Sequence, residues 1–165
     1  MMEFDSLAGL AAHLTSEVLP GLTREVNHAL ERVAESIEET AKAEIGVYQD
    51  AAGAFAAWQP LADSTVADRV SKGFTPDDPL LRTEELQESI VHEVGDWEAT
   101  VGSVDPVMEF HEFGTSKMPP RPVLGPALLH NAEHVQKLIG DAAVSVFVGG
   151  DAVSNSDYTL EGSAD

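Results

Sequence analysis

Residues 22–44 read LTREVNHALERVAESIEETAKAE, and this run decides the fold. Leu22, Val26, Leu30, Val33, Ile37 and Ala41, continued by Ile45, recur at three- and four-residue steps, while Arg24, Glu31, Arg32, Glu35, Glu38 and Glu39 fill the positions between. At about 3.6 residues per turn those apolar positions share one face, so the run is an amphipathic helix that needs an apolar layer to lie against. Gly46 stands where a C-terminal cap would stop it. Upstream, residues 5–19 are also helix-compatible, with Leu7, Leu10, Ala11, Leu14 and Val18 in step, and Pro20-Gly21 predicts a break between the two helices.

Downstream the punctuation changes character. Residues 46–59 are small and Ala-rich, and Trp58 and Pro60 lead into a short helix over 61–71 closed by Gly73. Pro76 and Pro79 among Asp77 and Asp78 predict an extended surface loop, and Thr83 is placed to cap a short helix over 84–90. Residues 91–94 and 97–101 are strands joined at Gly95-Asp96, with Trp97, Ala99 and Val101 alternating onto one side. Residues 107–113 form a short helix ended by Gly114, Pro119, Pro120 and Pro122 force an extended linker, and Gly125-Pro126 opens a final helix to about Leu138. Residues 142–148 read as a last strand or a helix extension.

These elements predict an α+β fold in which a small, mainly antiparallel sheet packs against the long N-terminal helix and a C-terminal helix. One domain is expected over 1–148, with N-terminal helices over 5–45 and a core over 58–140, followed by an acidic, flexible tail over 149–165. Trp58, Phe74 and Trp97 are expected to anchor the core.

The 29 acidic residues against 9 basic ones give a formal charge of -20. Such a chain repels phosphate unless a basic face intervenes, and the basic residues stand singly along the chain, which argues against base-specific nucleic-acid binding. The acids are spread throughout and only four of the basic residues are lysines, which favours adaptation to molar salt over one local acidic patch. The absence of cysteine excludes disulfides and thiolate chemistry. Glu3 and Asp5 with no basic start are unlike a secretory signal, and no apolar run is long enough to span a membrane, so no membrane association is expected.

No constellation assembles a catalytic site, so no catalytic residue, metal ligand or cofactor is assigned. His111 and Glu112 invite a metal-dependent hydrolase reading, but adjacent side chains on a helix diverge by about 100° and Thr115 stands where a second histidine would be needed. Ser64, Thr65 and Ser103 lack a glycine-flanked elbow, and Gly149-Gly150-Asp151 lacks the lysine of a phosphate loop. A small hydrolase using His111 and Glu112, or an acidic DNA mimic, are the competing readings.

Four blocks point elsewhere. They are Trp58, Pro60, Leu61, Ser64 and Thr65; Pro79, Leu80, Leu81, Thr83, Leu86, Ser89 and Ile90; Val101-Gly102-Ser103; and Phe110-His111-Glu112-Phe113-Gly114-Thr115 with Met118-Pro119-Pro120-Arg121-Pro122. In order and spacing they resemble the tail-component family of siphoviruses, described as neck, tail-completion or virion-morphogenesis proteins. Leu124 and Ala127 continue into that family's C-terminal helix. The chain departs from the pattern at Glu84, in place of a usual glycine, at Val107 and Met108, in place of a common Tyr-Ala pair, and at Val123, in place of a common Phe.

The resemblance implies a structural protein of the virion, present in the host cytoplasm during assembly. It implies a homo-oligomeric ring in the neck that meets head-closure or adaptor proteins on one side and tail-terminator or tail-tube proteins on the other. Genome DNA would pass through the channel without sequence-specific binding, and the charge suggests a halophilic host. The expected interface is Phe110, His111, Glu112, Phe113, Gly114, Thr115, Met118, Pro119, Arg121 and Pro122. Within it, the planar fork of Arg121 is expected to find a carboxylate, with Glu112 the natural partner inside the subunit or across a boundary.

Overall fold

The structure, a computed structural model, describes residues 6–148; the tail expected over 149–165 lies outside the described residues. The amphipathic run forms the axis of the fold as α2 (Leu19–Glu44), stopped where Gly46 takes a positive φ of 96°. Its apolar face supplies Ala29, Val33, Ile37, Ala41 and Ile45 to the core. The expected break at Pro20-Gly21 does not occur. Instead α1 (Leu7–His13) passes through a π-helical turn, Leu14–Val18, directly into α2.

The π turn explains how the proline is tolerated. The Leu19 N–H already reaches five residues back to Leu14 O, so Pro20 enters where the regular ladder is displaced and its missing N–H costs little. Side chains take up displaced carbonyls: Thr15 Oγ1 donates to Ala11 O at 3.0 Å and Ser16 Oγ to Ala12 O at 2.8 Å.

Strands β1 (Ile90–Gly95) and β2 (Glu98–Ser103) form a two-stranded antiparallel sheet in the register Ile90↔Ser103 to Gly95↔Glu98. The turn is therefore Asp96-Trp97, one residue later than expected. Trp97 sits at φ 64° and is 54% exposed, so it is not the core anchor expected of a large aromatic side chain. Its backbone N–H is held by Asn27 Oδ1 of α2 at 2.9 Å, and Asn27 Nδ2 donates to Asp96 Oδ1 at 3.2 Å. Where β1 faces α2, His92 Nδ1 meets Glu38 at 2.5 Å and Nε2 meets Glu31 at 3.3 Å. The hydrogen bond to Glu38, followed by that to Glu31, raises the His92 pKa.

Helix α3 (Asp63–Ser71) forms where it was expected. Helix α4 is one turn, Glu85–Glu88, and Thr83 does not cap its backbone: the hydroxyl bonds Glu85 Oε2 at 3.0 Å, because a flexible carboxylate two residues on competes for it. Helix α5 (Val107–Phe113) ends at Gly114 as read. The final helix is split at Asn131 into α6 (Leu124–His130) and α7 (Ala132–Val148), so 142–148 is helix extension and not strand.

Asn131 explains the split. Its buried amide accepts from Ser36 Oγ at 2.7 Å and donates to Thr40 Oγ1 at 2.8 Å and Ala127 O at 2.9 Å, which locks the α6–α7 junction onto α2. From there α7 runs antiparallel to α2 and brings Val146 against Gly21. Trp58 is buried among the core residues as expected, while Phe74 is only half-buried and lies under the Arg82 guanidinium, 5.6 Å from the ring centroid.

Candidate functional site

Helix α5 and the linker behind it form one hairpin-like unit. Gly114 adopts φ 71° and ψ -179°, a conformation open to glycine alone, and turns the chain back on itself. Thr115 N donates to Met118 O at 2.8 Å and Met118 N to Thr115 O at 3.3 Å, closing a tight turn. The returning segment is pinned by Arg121 N donating to His111 O at 2.7 Å.

That geometry sends Glu112 and Arg121 to different partners, so the expected pair between them does not form within the subunit. Glu112 Oε1 accepts from Val123 N and Leu124 N, both at 2.8 Å, placing its carboxylate at the positive end of α6. Arg121 is 5% exposed. Its Nη2 donates to Gln59 O at 2.9 Å and Pro60 O at 3.3 Å, while Nε is buried without a partner. Beside it, Trp58 Nε1 donates to Pro122 O at 3.1 Å. The first and last of the four sequence blocks are thus sewn together by one guanidinium and one indole.

Of the other residues expected at an interface, Phe110, Phe113 and Thr115 are exposed, His111, Gly114, Met118 and Pro119 are half-buried, and Pro122 is buried like Arg121. His111 Nδ1 is enclosed without a partner, and burial, followed by the positive charge of Arg121, lowers its pKa. His111 is therefore held neutral beside a Glu112 already engaged as a cap, an arrangement suited to bracing the turn. No cluster of three or more metal-ligating residues occurs among the described residues.

A carboxylate the sequence reading passed over lies nearby. Glu44, the last residue of α2, is 5% exposed, meets His130 Nδ1 at 3.0 Å through Oε1, and leaves Oε2 without a partner. Its position was legible, because it follows Ile37 and Ala41 on the buried face by helical spacing. Burial pushes its pKa up to about 7; the His130 hydrogen bond opposes this and the charge of Glu112 adds to it.

The folded protein consequently keeps a proton that the unfolded chain releases near 4.5. Stability is full below that value and falls as pH rises towards 7, by up to ~3 kcal/mol. His92, also raised, adds a further loss above its own unfolded value. Thermal melts should therefore show the wild type losing stability from about pH 5 to pH 8, and Glu44→Gln should flatten the lower part of that fall, gaining roughly 2 kcal/mol at pH 8. Parallel curves for the two proteins would show that Glu44 ionises freely.

Two hollows flank the α5 unit. One, of about 420 Å³, takes its charged lining from Arg69, Arg82, Lys117 and Arg121. The other, of about 390 Å³, takes its own from Asp105, Glu109 and Glu112. Between them Val107, Phe110 and Phe113 turn outward, 43%, 53% and 80% exposed.

The model of the phage virion morphogenesis family matches residues 6–142, from the residue before α1 into α7. The chain belongs to this family. No curated protein and no solved structure matches it. Every residue of the α5 unit, the lining of both hollows and Glu44 lie inside the matched span. Membership makes the protein a virion component and points to a structural role, in line with the resemblance of the four blocks. No helix of the described residues is long and apolar enough to cross a membrane.

Proposed function

We propose that this virion morphogenesis protein forms a homo-oligomeric ring in the neck of a tailed, siphovirus-like particle. One side of the ring meets head-closure or adaptor proteins and the other meets tail-terminator or tail-tube proteins. The observation that carries this reading is the outer face of α5. Val107, Phe110 and Phe113 stand at three-residue steps on a helix whose opposite face is fixed in the subunit by Met108 and Glu112. Scattered exposed apolar residues need no explanation, but an aligned apolar stripe with two aromatic rings marks a contact surface.

The charge of -20 suits this place in the particle. An acidic lumen gives passing DNA no counterion-release attraction, so the genome slides through without sequence-specific binding. The spread of acids also fits a halophilic host, where molar salt screens their mutual repulsion.

The test is the double substitution Phe110→Asp/Phe113→Asp. Both side chains are exposed, so the melting curve of the subunit should shift by no more than about 0.5 kcal/mol in stability. Assembly, read by light scattering and by completion of infectious particles, should be lost. Full assembly with both aromatics replaced would overturn the proposal.

A further inference from the structure

Four of the chain's nine basic residues, Arg69, Arg82, Lys117 and Arg121, line the same cavity, and among the described residues no aspartate or glutamate lines it with them. In a protein with 29 acids this separation demands a cause. Arg82 is balanced by Asp68 at 2.8 Å. Among the described residues the two buried guanidinium groups meet no carboxylate: Arg69 donates there to Thr75 O, Thr75 Oγ1 and Leu81 O, and Arg121 to Gln59 O and Pro60 O, with its Nε unpartnered. Carbonyl dipoles satisfy their geometry without cancelling their charge, and a buried charge without a counterion is costly. Lys117, exposed on the Thr115–Met118 turn, adds a fourth cation at the rim.

The opposite flank of α5 has the reverse composition. Asp105, Glu109 and Glu112 line its hollow, with no basic residue among the described residues there. Glu112 is engaged as the α6 cap and Asp105 Oδ1 accepts from Val107 N at 2.9 Å, whereas Glu109 is exposed. Glu109 and His111, which lines the cationic cavity, are separated by about 200° around the helix. The two hollows therefore face different ways, with the Val107, Phe110 and Phe113 stripe between them. A head-to-tail ring contact requires two different, complementary patches on opposite flanks.

We propose that the cationic cavity is a carboxylate socket filled by Glu109 of a second copy of this chain, with Lys117 as its outer contact and Arg121 and Arg69 supplying the buried positive field. This rests on the ring reading above and deepens it by naming which flank meets which. It also explains why four of the nine basic residues of so acidic a chain meet there: among acidic copies, the socket is what makes one flank attract the next.

The experiment uses charge reversal on the full chain in about 0.1 M salt, where exposed charges act over roughly 10 Å. Lys117→Glu and Glu109→Lys change exposed side chains, so both proteins should melt as the wild type does. Each should raise the concentration for half-assembly by about tenfold or more, and the double variant should restore it to within about threefold. In a ring mixed from isotope-labelled and unlabelled copies, a zero-length carbodiimide should join Lys117 to Glu109 between copies. The socket is overturned if Lys117→Glu assembles normally, or if both single variants fail and the double variant fails equally. Loss of assembly in Phe110→Asp/Phe113→Asp with normal assembly in Lys117→Glu would remove the socket and leave the ring. A wild type that remains monomeric at every concentration would remove both.

Discussion

Arg121→Glu is expected to destabilise the subunit itself, before any question of assembly arises. The side chain is 5% exposed, and its Nη2 satisfies the Gln59 and Pro60 carbonyls. A glutamate there brings a buried anion against two carbonyl oxygens that lose their donor, in a place where one partner of a buried charged contact cannot be removed for less than about 3–5 kcal/mol. Against a marginal stability of about 5–15 kcal/mol, that is a large fraction. In urea the midpoint should fall by roughly 2 M, taking a slope near 2 kcal/mol/M. Arg121→Met, which keeps much of the volume and leaves only the carbonyls unpaired, should lose less, about 1–3 kcal/mol. A normal midpoint for Arg121→Glu would mean that the guanidinium leaves the 59–60 segment in solution.

Gly114→Ala should be nearly as damaging, through the backbone. With φ at 71° and ψ at -179°, this residue occupies a conformation that costs an L-residue on the order of 1–3 kcal/mol. The added Cβ would also lie 2.8 Å from Pro120 N and 2.9 Å from Met118 O, neither of which is the free end of a side chain. The linker must move, and with it the bond from Arg121 N to His111 O. The expected result is a loss of about 3 kcal/mol and fast hydrogen exchange at the Arg121 amide. Gly73→Ala is the control: φ there is 80°, yet nothing lies within 4 Å of the new Cβ, so only a backbone cost of about 1 kcal/mol should appear. Equal losses at the two glycines would show that the Gly114 contacts with Met118 and Pro120 add nothing.

The sequence by itself determined the parts whose cause is local. The apolar period of 22–44 needs only the helical repeat to place Ala29, Val33, Ile37, Ala41 and Ile45 on one face, and that face is the one buried. The hairpin, α3 and the stop of α5 at Gly114 follow likewise from alternation and from glycine's freedom. The family blocks were legible too, but not what their residues hold. The break expected at Pro20 is absent because a π turn upstream decides whether its missing N–H is felt, and Trp97 is exposed because one residue of turn register moves a side chain from the inner face to solvent. Chemistry and proximity in sequence pair Arg121 with Glu112, yet inside the subunit Arg121 reaches the carbonyls of Gln59 and Pro60 while Glu112 turns to the head of α6. Only tertiary structure decides such partners. A long charged side chain takes whichever unsatisfied group the fold delivers within reach, and here the fold delivers a segment some 60 residues away.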